Sequence, residues 1–366
     1  MHPFLSLMEI DRLVGELPER STSPPIDTAL VCLIMALGEV CDTSSRLQSS
    51  SSLSKAEIIP GQVYFESAAR SLQGDTIQHI QGNLLAALYL AQLRRPKDSH
   101  SYLLAASKPI QVHLQLVKSG EEHDSLILAF WTCLQLESEF PPSEYPRSGL
   151  SSYEQLVPMP NLQEGNDAEI LHHYINRIAW RQSMRQILTQ ENFRIQDVKD
   201  QLVSFVGYLG STPPTNILQA RRWATCHDML AALYRPKLRR ILNDSGHFSE
   251  GEIEELLPAG IEALLHSITA FHGIIGQLVL TNVCMTASVK SQNMKLLLEI
   301  YQNSTYRPKL ANSISRDDLR NLLQDTLSFM DLAESPEVAP AFKLLHEAAQ
   351  ETDLFNHTPP DTPVSV

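Results

Sequence analysis

Glycine and aromatic side chains are scarce in this chain, with 15 glycines in 366 residues and 7% aromatics. Leu, Ala, Gln and Glu are abundant instead, a balance that favours helix over pleated sheet. Positive charge is also short: 29 Lys and Arg face 42 Asp and Glu, for a formal net charge of -13. Phosphate backbones repel a chain of that sign, so direct DNA binding by the whole molecule is not expected.

Cysteine is sparse and scattered. Cys32, Cys41, Cys133, Cys226 and Cys284 include no CxxC pair. A binuclear zinc cluster needs six closely spaced cysteines, so this chain cannot build one and no metal ligand set is expected. The odd count, without a basic and apolar leader, points to reduced thiols in the nucleus or cytosol. The most apolar stretch, Ala29 to Leu37, is far too short to span a bilayer, and no membrane role is expected.

Catalytic signatures are missing as well. There is no Walker loop, no GxGxxG and no GxSxG, so no enzyme is expected and no cofactor. His346 and Glu347 open "HEAAQ", but Gln350 stands where a zinc protease helix needs its second histidine. His172 and His173, adjacent on a helix, point to different sides and cannot grip one metal together.

Apolar residues make up 43% of the chain, enough for a substantial core. They recur with helical period from Phe4 to Leu17 and again from Ile26 to about Val40. The serine-rich Thr43 to Lys55 reads as a flexible insertion. Helical segments then follow one another with short polar joints as far as Phe140, a pattern of antiparallel packed helices. A proline-rich crossing, 141–161, separates them from a second helical series. In that series Ser315 and Asp318 carry a capping-box spacing, and Ser335 before Pro336 marks another helix start. The tail 355–366 is polar and proline-rich, a composition of disorder. The expected fold is all-α, one large multi-helix domain over 1–354, with no strand.

"YRPKL" occurs twice, Tyr234 to Leu238 and Tyr306 to Leu310, but the flanking sequences share nothing. It is not a solenoid repeat. Arg235, Lys237, Arg239 and Arg240 form a basic patch. They could clasp a phosphate or an acidic partner, or complement the dipole at a helix C-terminus. The helix-terminus reading is the one the sequence favours, since "NDSG" soon follows.

Several segments in order resemble the regulatory, or middle homology, domain of fungal zinc-cluster transcription factors. "HPFLSLMEIDRLVGELP" is similar to its opening. "GQVYFESAARSLQ" resembles its Tyr-Phe/Ala-Arg helix, through Tyr64, Phe65 and Arg70. "TIQHIQGNLLAALYLAQ" looks like its Gln-x-x-Leu-Leu helix. "AASKPIQVHLQL" and "LILAFWTCLQLESEF", with Trp131, stand where members carry an Ala-rich and a Phe-Trp helix. "CHDMLAALYRPKL" resembles a late helix in which an aromatic precedes Arg-Pro-x-Leu, here Tyr234, Arg235, Pro236 and Leu238. "TNVCMTASVKSQNM" is similar to a further stretch, through Thr281, Asn282 and Asn293, although members of that kind carry Gly where Met285 stands.

The resemblance covers His2 to about Leu354. It implies a nuclear module that modulates RNA polymerase II transcription. Its partners would be transcription machinery, co-regulators or a related full-length factor, and its effector a small molecule. Zinc is implied only in the family's N-terminal module, which this sequence lacks; Met1 falls where the middle domain begins, which implies either a shortened product or an incomplete reading frame. A helical scaffold or adaptor with no transcriptional role fits the same pattern.

Overall fold

In a computed structural model, the residues described are 7–15, 25–49, 59–116, 121–140, 144–160, 174–183, 214–243, 248–272, 283–332, 338–352 and 354. Every element among them is helical. The all-α class follows, and the domain is built from two compact units. Unit 1 comprises Met1–Phe193 with Gly276–Met285, and unit 2 comprises Arg194–Ile275 with Thr286–Val366.

Unit 1 holds α1 (Leu7–Gly15), α2 (Ile26–Ser49), α3 (Gln62–Ala69), α4 (Ile77–Gln92), α5 (Pro96–Leu116) and α6 (Glu121–Ser138). Residues 174–183 are also helical. The apolar stretch of α2 buries Ala29, Leu30, Leu33 and Ala36 completely, as its nearly all-round apolar pattern requires. Around it pack Leu84 of α4, Ile110 of α5 and Phe130 and Trp131 of α6. Helix α2 runs on to Ser49, so the backbone of Thr43–Ser49 is helical rather than an insertion. The rest of that segment, the tail 355–366 and the stretch 333–337 with Ser335 and Pro336 lie outside the described residues.

Helix α3 starts at Gly61, whose φ is 74° and whose N–H donates to Glu39 Oε2 at 2.6 Å. A side chain there would bring its Cβ within 2.6 Å of the Ala36 carbonyl oxygen. Only glycine permits both the left-handed backbone and the close approach.

The proline-rich crossing is irregular over 144–160, apart from one 3-10 turn, η1 (Leu150–Tyr153). It is nonetheless tied to the helices beneath it. His100 Nε2 bonds the Pro146 carbonyl at 3.0 Å, Gln111 Nε2 donates to Ser148 O at 2.7 Å, and Trp131 Nε1 donates to Pro158 O at 2.9 Å. Arg181 pairs with Glu154 at 2.9 Å.

Unit 2 is built from α7 (Ile217–Asn243), α8 (Glu250–Thr269), α9 (Val283–Gln302, from Thr286 on), α10 (Arg307–Ala311), α11 (Arg316–Leu332) and α12 (Ala339–Gln350). Helix α8 opens with a full capping box: Ser249 Oγ accepts from the Glu252 N–H, and Glu252 Oε2 accepts from the Ser249 N–H at 2.8 Å. Ser315 caps α11 as its spacing with Asp318 implies, accepting from the Asp318 N–H at 3.1 Å.

The two YRPKL copies have different local structures. The first lies inside the long helix α7, with Pro236 in mid-helix and exposed. The second opens the short α10, with Tyr306 as N-cap and Pro308 in the first turn, where a missing N–H costs nothing. Tyr234 and Leu238, like Tyr306 and Leu310, are buried. The i,i+4 spacing puts the tyrosine and the leucine on one face in both places.

Candidate functional site

The core-facing stripe of α9 runs Ala287, Lys290, Met294, Leu297 and Tyr301, one lysine among apolar neighbours. Lys290 is 1% exposed. An ammonium taken out of water must find hydrogen bonds or lose its charge. Lys290 Nζ donates to the carbonyl oxygen of Ile268, in the last turn of α8, where carbonyls lack helical partners. The rings of Phe329 and Phe271 lie 5.0 and 5.6 Å from the same nitrogen, close enough for cation–π attraction.

One turn along α9, Asn293 is fully buried. Its Nδ2 donates to Ser267 Oγ at 2.7 Å, and Ser267 Oγ donates in turn to Asp228 Oδ1. Asp228 comes from α7, on the stripe that also carries Ala224, Ala231 and Leu238. A polar chain thus links α7, α8 and α9 through the core of unit 2. Arg235, two turns beyond Asp228, extends its edge by donating to Gln292 Oε1 at 2.5 Å.

Burial sets the protonation of these groups. It pushes the Asp228 carboxyl up to about 6, against the Ser267 bond and the nearby Lys290 and Arg235 charges. It pulls the Lys290 ammonium down to about 7, with Asp228 resisting. Both groups therefore titrate near neutrality, close to one another.

Three histidines border the chain. His227 and His266 meet at a ring separation of 4.6 Å, and Trp223 covers both while donating to the His266 carbonyl at 3.0 Å. Burial, together with His266, lowers His227 to about 3; burial and Lys290 lower His272 to about 4. Among the described residues, His227 Nδ1, His266 Nδ1, His272 Nε2 and Asn293 Oδ1 are buried and meet no hydrogen-bond partner.

The residues singled out by sequence fall in both units. In unit 1, Phe65 stacks on Tyr89 at 4.9 Å and meets Tyr102 edge-on at 6.0 Å. Tyr64 packs beside it, Arg70 is exposed at the end of α3, and Trp131 is fully buried. Tyr64, Phe65 and Trp131 are packing positions, and Arg70 is not. In unit 2, Arg235 and Asn293 join the polar chain, whereas Tyr234 and Leu238 face the apolar core. The basic patch is divided: Arg239 and Arg240 are exposed near the C-terminus of α7, with Arg240 5.6 Å from the Phe248 ring, while Lys237 is half-buried. Thr281 and Asn282, like His172 and His173, lie outside the described residues.

Sequence reasoning passed over Asp228, Ser267 and Lys290. The signal was a charge on a helical core stripe, at Lys290 between Ala287 and Met294 and at Asp228 between Ala224 and Ala231.

The five cysteines form no disulfide, and Cys133, Cys226 and Cys284 are buried. Among the described residues no three His, Cys, Asp or Glu side chains gather as a metal site, and no helix is long and apolar enough to cross a membrane. No family model, curated protein or solved structure matches the chain.

Proposed function

We propose that the chain is a regulatory module of the fungal zinc-cluster transcription factor type, acting on RNA polymerase II transcription through protein partners in the nucleus. The observation that supports this reading most is the ordered set of motif helices within an all-α fold. Tyr64, Phe65 and Trp131 serve the core of one unit, and Tyr234, Leu238 and Asn293 serve the other.

With five scattered cysteines and a net charge of -13, this chain offers no grip on DNA of its own. Its partners would be co-regulators, transcription machinery or a related full-length factor, and a small-molecule effector would set its state. Tethering tests this directly. Fused to a foreign DNA-binding domain, the chain should change reporter transcription, and purified alone it should bind no promoter at physiological salt. A silent fusion confined to the cytoplasm would leave the helical scaffold as the better account.

A further inference from the structure

Lys290, Ile268, Ser267, Asn293 and Asp228 bring together α7, α8 and α9 at one buried point, and Phe329 adds α11. With Lys290 at 1% exposed and Asn293 at 0%, the junction admits a proton more readily than a molecule. We propose that it is a proton-operated latch: a proton on Lys290 puts a full charge where water does not reach, and the ammonium regains its hydration by leaving the Ile268 carbonyl and loosening the end of α8 from α9, whereas the neutral amine stays seated.

The direction follows from linkage. In the closed junction Lys290 titrates near 7; once released to water it returns to the ordinary lysine value of 10.5. Between those values the open form holds one more proton than the closed form, so falling pH favours opening. His227 and His272, held near 3 and 4 from α7 and the turn after α8, act in the same sense below their free value of 6.5. His266 of α8, also lowered by burial against the Glu262 charge, joins them.

Asp228 opposes. Raised from 3.8 to about 6, it gives the closed form the extra proton between those values. Two further shifted groups at the junction stay away from neutrality. Arg235 remains charged although burial and Arg239 lower it, and the Cys226 thiol is pushed up to about 12. From α11, the side chain of Asp325 faces His272 at 3.7 Å. Lys290 therefore governs the range above 7, and the histidines govern the range below 6.5.

The test uses the full chain with 13C-labelled lysine, following side-chain resonances and amide hydrogen exchange from pH 6.5 to 9. One lysine resonance should titrate near 7, and Asp228→Asn should move that midpoint lower by removing the anion that favours the ammonium. Protection of the Ser267 to Ala270 amides, corrected for intrinsic exchange, should fall about tenfold per pH unit from about 9 to 7.5. It should level off below 7. Lys290→Met should flatten this dependence. The wild-type titration decides the matter even if a variant fails to fold. A spectrum in which no lysine moves below pH 9, or pH-independent protection, overturns the latch. Neither outcome bears on the transcriptional reading, which the tethered reporter tests separately.

Discussion

Leu238 of α7 fills the notch that Gly260 leaves on α8: a Cβ added to Gly260 would lie 2.9 Å from Leu238 Cδ1 and 3.0 Å from Cδ2. The two helices approach closely because one residue lacks a side chain and the other supplies it. Gly260→Ala should therefore overpack the contact and cost roughly 1–3 kcal/mol, and Leu238→Ala roughly 2–5 kcal/mol. Together they should cost less than their sum, because shortening Leu238 makes room for the methyl group added at Gly260. Urea unfolding of the four proteins measures the coupling; strict additivity would show that the notch is not filled as described.

Close by on the same helix the outcome reverses. Arg239→Ala and Arg240→Ala, both at exposed positions, should each change stability by no more than about 0.5 kcal/mol. A larger loss than for Leu238→Ala would show that the arginines hold structure. Loss of reporter activity by a folded Arg239→Ala, Arg240→Ala double variant would instead point to an acidic partner at that surface.

Ser267 is the middle link between Asn293 and Asp228. Ser267→Ala leaves a buried amide donor and a carboxylate without their partner, at a cost of roughly 1–3 kcal/mol. Combined with Asn293→Ala the added loss should be small, since the shared bond is already gone. Thermal unfolding of the single and double variants at pH 7 checks this, and fully additive losses would mean that the chain does not act as a unit.

How much of this was legible beforehand differs between the apolar and the polar interior. Apolar period alone marks α2, α4 and α8 as helices, and the Ser315–Asp318 spacing marks the start of α11, because caps and stripes are local properties of the chain. The dual fate of YRPKL is not local. The pentapeptide fixes which side chains bury, Tyr and Leu at i,i+4, but whether its proline falls inside a helix or at a helix start depends on the residues before it. The polar junction is harder still. Lys290, Ser267 and Asp228 lie on three helices far apart in sequence, and only packing shows that a lysine on an apolar stripe meets a helix-end carbonyl rather than solvent.

The thiols offer a check on burial that is independent of stability. Burial raises the Cys133 thiol strongly and Cys226 to about 12, so neither forms the thiolate that attacks an alkylating reagent. In the native chain at pH 7.5, Cys133, Cys226 and Cys284 should resist iodoacetamide, while half-buried Cys32 and Cys41 react slowly. All five should react in urea. Mass spectrometry of the digested protein reads each site, and rapid native labelling of Cys133 would contradict a closed core in unit 1.

The proline-rich crossing separates irregular from mobile. Its residues 144–160 have almost no regular backbone hydrogen bonding, yet Arg147 Nη2 donates to Phe140 O at 3.0 Å and Nη1 to the Glu137 carbonyl, while Glu137 Oε1 accepts from the Ser148 N–H. Glu137 itself is 3% exposed, so the segment is held from below by a buried carboxylate. Leu156, by contrast, is 77% exposed and offers a thermolysin site on its surface. Cleavage there needs several residues to leave the protein together, which the bonds on either side of it oppose. Native thermolysin digestion should therefore spare the wild-type crossing. Arg147→Ala removes the guanidinium that fastens its N-terminal end to α6, and should speed cleavage before Leu156 several-fold without unfolding unit 1. Equal rates for the two proteins would mean that Trp131, Gln111 and His100 hold the segment without Arg147.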